Sequence, residues 1–181
     1  MARLIAVDPA KASGKAKELL DKVKAKLGIT PNSMRTMANS PAVLEGYLVF
    51  SNALAGGSLS AKLREQIALA VAETNGCEYC LSAHTATGKM VGLAENEILS
   101  SRQTASTDPK VDAALKFAKT IVARRGEVTD DDLIRIRQAG YSDGETAEII
   151  ANVVLNIFTN YLNQAAQTEI DFPKVAFAGK R

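Results

Sequence analysis

A run of six residues near the middle of the chain constrains the fold more than any other feature. Residues 67–72 read IALAVA, and Ser60, a residue type favoured at helix N-caps, stands a few positions before them. A helix with no polar face must be covered on every side, so it belongs in the middle of a bundle or at a subunit contact. The sequence therefore predicts a helical bundle built around this segment.

Apolar residues recur at helical spacing along the rest of the chain, and serine, proline or glycine stands where such a stretch begins or ends. We predict helices at 13–28, 31–39, 41–56 with Ser40 as N-cap, 77–90, 94–101, 108–125, 129–139 and 142–168. No stretch alternates strictly between apolar and polar residues, so we expect an all-α, multi-helix bundle. The length of 181 residues suits one domain, 1–181, with an extended N-terminal segment and an extended C-terminal arm. We expect that arm, from residue 170 onward, to lie on a neighbouring subunit.

Charge and hydropathy exclude several classes of protein. The 22 basic and 20 acidic residues leave a formal net charge of +2, so neither a polybasic nucleic-acid binder nor an acidic disordered tail is expected. The longest uncharged stretch, 149–168, carries four asparagines and is a poor candidate for a bilayer span. With two cysteines and no signal-peptide pattern, we expect a cytoplasmic protein that binds neither nucleic acid nor membrane.

A weak internal repeat relates the two halves of the chain. A shift of 83 residues places Asn160 and Asn163 on Cys77 and Cys80, and Gln167 on His84. A duplicated helical pair whose second copy lost its chemistry gives this pattern, and so does coincidence between two alanine-rich helices. If the duplication is real, the asparagine stripe lies at the positions where the first copy carries its reactive face; otherwise its amides satisfy neighbouring backbone groups. The stripe consists of Asn152, Asn156, Asn160 and Asn163.

The chemistry of the chain is concentrated in four residues, Glu65, Cys77, Cys80 and His84. They stand at the spacing E-x11-C-x2-C-x3-H and include both cysteines and the single histidine. If Cys77 begins a helix, both sulfurs and the imidazole project from one face. A helix N-terminus lowers the pKa of a thiol and a nearby imidazole can accept its proton, so this arrangement favours a reactive thiolate and a disulfide between the cysteines.

The part played by Glu65 has two interpretations. It enters an apolar helix, where a partly desolvated carboxylate can hold a proton for His84 or orient its ring. Alternatively, it forms a salt bridge with Arg64 or Lys62.

Other interpretations of the two cysteines remain open from spacing. Haem attachment fails because Leu81, and not histidine, follows Cys80. The four residues are also compatible with a structural zinc site, and two inert cysteines beside a core histidine are the simplest alternative. A redox dithiol is the interpretation that uses all three side chains on one face.

The sequence from Thr74 to His84, TNGCEYCLSAH, with Glu65 upstream, resembles the alkylhydroperoxidase D and carboxymuconolactone decarboxylase superfamily, and most closely its peroxidase-related branch. The resemblance implies an all-helical protein that assembles as a trimer or hexamer. It also implies an oxidoreductase, a peroxidase that reduces a hydroperoxide without a bound cofactor or metal. Its oxidised dithiol is then reduced again by dihydrolipoamide or a thioredoxin-like protein. The decarboxylase branch generally lacks the cysteine pair, so the pair argues against lactone decarboxylation.

Carried over by position, the resemblance implies that Cys77 and Cys80 form the redox pair and that His84 and Glu65 form a proton relay. Cys80 is expected to attack the hydroperoxide because His84 is its i+4 neighbour, although the helix N-terminus favours Cys77 as the thiolate. One position departs from the alkylhydroperoxidase D pattern: Tyr79 stands where that pattern has a second histidine. The alternative function is a redox sensor or interaction module that uses the same disulfide as a switch.

Overall fold

The computed structural model describes residues 2–177, and within them the chain folds into helices without any strand, which confirms the all-α prediction. The helices are α1 (Gly14–Leu27), α2 (Asn32–Met37), α3 (Pro41–Ala55), α4 (Ala61–Asn75), α5 (Glu78–Met90), α6 (Glu95–Arg102), α7 (Pro109–Ala123), α8 (Asp130–Gln138) and α9 (Asp143–Ala166). None of these helices is long and apolar enough to span a bilayer.

Helix α4 occupies the centre of the bundle, as its apolar sequence predicts. Each of residues 67–72 is at most 1% exposed, and α4 contacts α5, α6, α7 and α9. The small side chains Ala68, Ala70 and Ala72 allow these neighbouring helices to approach closely. Burial on all sides explains why the segment carries no polar residue.

The predicted helix boundaries agree with the structure to within about two residues, which is the usual uncertainty of helix ends. The Ser60 hydroxyl accepts a hydrogen bond of 3.2 Å from the backbone N–H of Leu63, so it caps α4 as predicted. Ser40 precedes α3 as predicted, but its side chain makes no capping hydrogen bond. There the fixed backbone angle of Pro41 at the first helical position favours the helix start.

Three buried clusters hold the bundle together. One lies between α4, α7, α8 and α9, and a second lies between α4, α5 and α6 and contains both cysteines. The third joins α1, α2 and α3 through Leu19, Leu20 and Leu44. The second cluster therefore places the reactive residues inside the core of the bundle.

The duplicated helical pair, considered as one of two explanations of the weak repeat, is not seen in α9. A second copy would need a break in α9 at the position that corresponds to Gly76, but α9 runs without interruption from residue 143 to residue 166. The glycine that ends α4 has no counterpart there, so nothing stops the helix. The shift of 83 residues nevertheless relates two side chains that meet at the candidate site.

The C-terminal segment, residues 167–177, is extended as expected, and it packs on its own chain. Its contact with a neighbouring subunit stays a prediction. Ile170, Phe172, Val175 and Phe177 lie against the cluster that contains the cysteines. Four apolar side chains within eight residues are enough to fasten a segment that has no helix or strand of its own. Residues 178–181 of the predicted arm, like residue 1, lie outside the described residues.

Candidate active site

The turn between α4 and α5 places the first cysteine at a helix start. Gly76 has a φ of +66°, the left-handed conformation that glycine adopts without strain. The Gly76 N–H donates to the Glu73 carbonyl and the Cys77 N–H donates to the Ala72 carbonyl at 2.9 Å, the two bonds of a Schellman motif. Cys77 then becomes the N-cap of α5, and its sulfur accepts a 3.2 Å hydrogen bond from the backbone N–H of Cys80.

The two cysteines form a disulfide in this structure. Their Cα atoms are 5.3 Å apart, a normal separation for a disulfide, because one helical turn brings residues three apart together. Cys77 is 1% exposed and Cys80 is 2% exposed, so any reagent reaches the sulfurs through a cavity and not from the open surface.

Of the two interpretations for Glu65, the structure shows the contact with His84. The Nδ1 atom of His84 lies 2.8 Å from Oε2 of Glu65, across the antiparallel pair α4 and α5. Arg64 instead donates to the carbonyl of Leu59. Since a carboxylate only accepts, Nδ1 carries the proton and Nε2 is the ring nitrogen left to act as a base.

A small cavity of about 120 Å³ lies on the Cys80 side of the disulfide. Cys80 and His84 both line it, together with apolar and hydroxyl side chains: Leu27, Pro31, Met34, Tyr47, Ala83, Thr87, Thr159 and Phe172. Burial, followed by the nearby charge of Glu65, raises the pKa of Tyr47, which keeps its hydroxyl protonated as a donor. The cavity therefore offers a sulfur, a base and a hydrogen-bond donor to a small molecule.

A second, larger cavity of about 370 Å³ lies on the Cys77 side. Its lining is rich in side-chain amides, from Asn163, Gln164 and Gln167, and Ile170 and Phe177 of the C-terminal segment form its apolar part. The two cavities share only Tyr79 and Asn163 among their lining residues. The disulfide thus lies between two separate cavities.

Tyr79 links the dithiol helix to two distant parts of the chain. Its hydroxyl accepts a hydrogen bond of 3.0 Å from the Ser33 N–H and donates one of 2.8 Å to Oδ1 of Asp171. Its ring packs edge-on against Phe172. Burial raises the pKa of Tyr79 well above its ordinary value, so this residue does not exchange protons near neutral pH. In this chain the position of the second histidine has a structural role.

A buried arginine fixes the far end of the C-terminal segment. Nε of Arg102 donates to Oε2 of Glu73 at 2.9 Å, and Nη2 donates to the carbonyl of Ala176 at 2.6 Å. The hydroxyl of Ser82 on α5 also accepts from the Val175 N–H at 3.2 Å. These contacts and the Tyr79 hydroxyl keep the segment over the cysteines.

We expect the substitution Arg102→Met to destabilise the fold strongly. Only 6% of the Arg102 side chain is exposed and 15% of that of Glu73, so the change leaves a carboxylate buried beside an apolar group. The expected loss in the free energy of unfolding is about 3–5 kcal/mol. Urea-induced unfolding measures it.

Arg137→Met is the matched control for this prediction, because Arg137 pairs with Asp143 at the surface, where 54% and 79% of the two side chains are exposed. Its expected cost is at most about 1 kcal/mol. Equal losses in the two variants would contradict the importance of the buried pair.

The asparagine stripe of α9 divides between the two roles considered for it. The side chains of Asn152 and Asn156 donate to the carbonyls of Glu148 and Asn152, one turn earlier on the same helix. Asn160 and Asn163 instead face the site: Oδ1 of Asn160 accepts from Asn75 at 2.9 Å, and Nδ2 of Asn163 donates to the sulfur of Cys80 at 3.4 Å. Only the shift of 83 residues signalled Asn163, and nothing in the sequence signalled Tyr47, Arg102 or Asp171 as parts of the site.

The structural zinc site considered for these residues is not supported. Within residues 2–177 no three histidine, cysteine or carboxylate side chains are placed together to hold a metal ion. A cavity of about 430 Å³ elsewhere in the described chain is lined by none of the four predicted site residues.

Part of the chain is similar in sequence to known proteins. Residues 41–120, which include all four predicted site residues, match the carboxymuconolactone decarboxylase family. Over 45 residues the chain is 53% identical to an uncharacterized protein of Haemophilus influenzae. This match covers 24% of the chain and 40% of the length of that relative.

Several solved structures share the fold over nearly the whole chain. An alkylhydroperoxidase AhpD core, the uncharacterized peroxidase-related protein from Ralstonia eutropha, superimposes with a TM-score of 0.83 at 23% identity, covering 94% of this chain and 92% of that one. A peroxidase-related protein from Silicibacter sp. gives 0.80 at 24% identity, covering 98% and 95%. The debrominase Bmp8, as a cysteine-to-alanine variant in complex with 2,3,4-tribromopyrrole, gives 0.80 at 19% identity, covering 93% and 91%. The comparisons thus support the resemblance observed in the sequence: residues 41–120 match the carboxymuconolactone decarboxylase family, and the chain shares the fold of alkylhydroperoxidase D-like proteins.

Proposed function

We propose that this protein is a thiol-dependent peroxidase that reduces a small hydroperoxide through the Cys77 and Cys80 dithiol. The observation that carries the proposal is the small cavity on the Cys80 side, because it brings together the sulfur of Cys80 and the imidazole of His84, whose other nitrogen is held by Glu65. A nucleophile, a base and a group that orients the base are the parts that nucleophilic catalysis requires.

The first step is the activation of Cys80 in the reduced protein. Nε2 of His84 takes the proton of the Cys80 thiol, which leaves a thiolate beside an imidazolium. Glu65 accepts from Nδ1 and stabilises that positive charge. A free thiol is only a few per cent thiolate at neutral pH, so this transfer increases the reactive fraction.

The second step transfers one oxygen atom. The thiolate attacks the terminal oxygen of R–O–OH, the O–O bond breaks, and the alkoxide takes the proton from the imidazolium and leaves as an alcohol. Cys80 is now a sulfenic acid. Cys77 attacks its sulfur, the hydroxide leaves with the Cys77 proton as water, and the disulfide seen in this structure forms.

A dithiol donor completes the cycle by reducing the disulfide. The cavity on the Cys77 side supports an approach from there, since attack on a disulfide follows the sulfur–sulfur axis and Cys80 then leaves as the thiolate that the next cycle needs. Its volume of about 370 Å³ suits the narrow dithiol of dihydrolipoamide better than the surface cysteine of a folded thioredoxin-like protein. The second thiol of the donor then releases Cys77 and forms the donor disulfide.

Peroxide consumption by the reduced protein, with dihydrolipoamide in excess, tests the proposal. Several equivalents of peroxide consumed per protein support a peroxidase. A single equivalent followed by no further consumption supports the alternative, a redox sensor that uses the same disulfide. No consumption of hydrogen peroxide or of organic hydroperoxides contradicts both.

We further propose that the protein is a homo-oligomer, a trimer or a hexamer, in which the exposed face of α3 and α9 is covered. This face carries large apolar side chains and no charge: Val43, Val49, Phe50, Ile150, Val154, Phe158 and Tyr161, which are 37–64% exposed. Contiguous exposed apolar surface of this kind usually marks a contact with another protein.

The double substitution of Val49→Glu with Val154→Glu is expected to dissociate the oligomer, because two charges would be buried in each contact without partners. Sedimentation velocity measures the change in mass. The control is Ile134→Glu on α8, which has similar exposure, 47%, but lies outside this face. A wild-type protein that sediments as a monomer would contradict the proposal.

A further inference from the structure

Asn163 holds an unusual position for an amide side chain. It is 4% exposed, it contacts the sulfur of Cys80 through Nδ2 at 3.4 Å, and its Oδ1 atom is buried with no hydrogen-bond partner among residues 2–177. A buried polar atom normally has a partner, since removing it from water otherwise costs free energy. This oxygen can therefore accept a hydrogen bond from a donor that enters the site.

The position of Asn163 shows where such a donor would come from. The residue lines both the cavity on the Cys80 side and the cavity on the Cys77 side, so its amide lies at the boundary between them. The donors that can enter there are the thiol of a reduced cysteine, a water molecule and the O–H of a hydroperoxide. Each of these belongs to a step of the reaction cycle.

We propose that Asn163 is a catalytic residue of the dithiol site. Its Nδ2–H stabilises Cys80 as the thiolate, and its Oδ1 accepts a hydrogen bond from the O–H of the hydroperoxide under attack. The second half rests on the proposed function, whereas the first half requires only that Cys80 is reduced.

The charges around Cys80 make an uncharged donor useful. The titratable groups that line the cavity with Cys80 are Tyr47, Tyr79 and His84, and both tyrosines stay neutral because burial raises their pKa. Cys77 is the disulfide partner of Cys80, and Glu65 lies behind His84 with its charge directed at the imidazole. When His84 is neutral, no positive charge stabilises the thiolate. The Asn163 N–H then supplies a charge-assisted hydrogen bond that does not depend on pH.

The same amide also fits the oxygen transfer. The terminal oxygen of R–O–OH carries the hydrogen, and that oxygen forms the bond to the Cys80 sulfur while the O–O bond breaks. A hydrogen bond from this O–H to Oδ1 of Asn163 holds the oxygen beside the sulfur to which Nδ2 is already bound. Asn163 itself gains and loses no proton.

The test measures the pKa of Cys80 in a Cys77→Ser background, where Cys80 is the one thiol left in a chain that has two cysteines. Asn163→Leu removes both polar atoms at similar volume, and Asn163→Asp keeps the acceptor but replaces the donor with a charge. We expect Asn163→Leu to raise the thiol pKa by about one to two units, the usual strength of a hydrogen bond to a charged group, and Asn163→Asp to raise it further. Thiolate absorbance and the pH dependence of alkylation both report this value.

Asn156→Leu is the matched control. Asn156 is buried on the same helix two turns earlier, and its amide donates only to the carbonyl of Asn152. We expect no change in the thiol pKa for this variant. An unchanged pKa in a folded Asn163→Leu variant, or equal shifts at both positions, would overturn the proposal. If Asn163→Leu does not fold, Asn163→Ala provides the same comparison.

Peroxide kinetics with both cysteines present test the second half. We expect Asn163→Leu to raise the KM for hydroperoxide and to lower the rate of attack about tenfold or more even at a pH where the thiol is fully ionised. Unchanged kinetics at that pH would contradict the proposed hydrogen bond between the hydroperoxide and Oδ1 of Asn163. If the wild-type protein consumes no peroxide, the proposed function and the role of Asn163 in binding the hydroperoxide fail together. The pKa of the Cys80 thiol in the variants still tests whether Asn163 stabilises the thiolate.

Discussion

Replacement of Cys80 by serine should abolish the reduction of hydroperoxide beyond background, a loss of about 10³-fold or more. A serine hydroxyl is not ionised by His84 at neutral pH, and its oxygen cannot pass through the sulfenic acid and disulfide states that carry the two electrons. The overall structure should survive because the serine keeps the shape of a side chain that is 2% exposed, which circular dichroism checks. Peroxide consumption with excess dihydrolipoamide measures the loss.

Cys77→Ser should behave differently from Cys80→Ser, and the comparison assigns the roles of the two cysteines. Without the resolving sulfur, Cys80 still attacks one equivalent of peroxide and stops as a sulfenic acid that dimedone traps. Because the chain contains two cysteines, each variant carries one thiol and the trapped residue is unambiguous. The reverse outcome, with dimedone on Cys77 in the Cys80→Ser variant, would exchange the roles. Full turnover in both variants would remove the dithiol from the mechanism.

The helices of this protein could be predicted because local signals and tertiary packing agree. Gly28, Gly76 and Gly140 adopt left-handed conformations close to the predicted helix ends, and their sequence positions alone indicate a stop. The apolar run at 67–72 likewise has one solution, burial on all sides, and α4 is buried on all sides. Where a residue type is favoured in one backbone conformation, or must be buried away from water, its position in the fold follows from the sequence.

The parts of the site that could not be predicted depend on contacts between distant segments. Tyr79 meets Asp171 across 92 positions, and Arg102 meets Ala176 across 74. An extended segment such as 167–177 has no periodicity that would show which surface it covers, so the sequence did not indicate that it packs over the cysteines of its own chain. The contact between Cys80 and Asn163, across 83 positions, joins two residues that the weak repeat aligns, but the repeat did not predict that they touch.

The contacts of Tyr79 show what this position does in this chain, where the resemblance would place a second histidine. A histidine at this position would lack the reach and the phenolic hydroxyl that join the Ser33 N–H to the Asp171 carboxylate. In this chain Tyr79 fastens the C-terminal segment beside the cysteines, and the proposed proton transfer would depend on the single imidazole of His84. The consequence is a site in which His84 has no substitute.

His84→Ala should therefore cause a large loss, about 10²- to 10⁴-fold in the rate of peroxide reduction near neutral pH. The thiol pKa of Cys80 should rise because the imidazolium that stabilises the thiolate is gone. The thiolate is the form that reacts, so its fraction at neutral pH falls, and the activity should recover partly as the pH is raised above the new value. Alkylation rates measured across pH report the shift, and an identical pH profile in the variant would remove His84 from the mechanism.

Glu65→Gln separates the orientation of the imidazole from the stabilisation of its charge. The glutamine carbonyl can still accept from Nδ1 of His84, so the ring keeps its tautomer, but the negative charge 2.8 Å away is lost. We expect a smaller loss than for His84→Ala, about tenfold in rate. The double variant should be no worse than His84→Ala alone, because Glu65 acts only through the imidazole. Additive losses would instead mean that the carboxylate reaches the peroxide or the thiol by a route of its own.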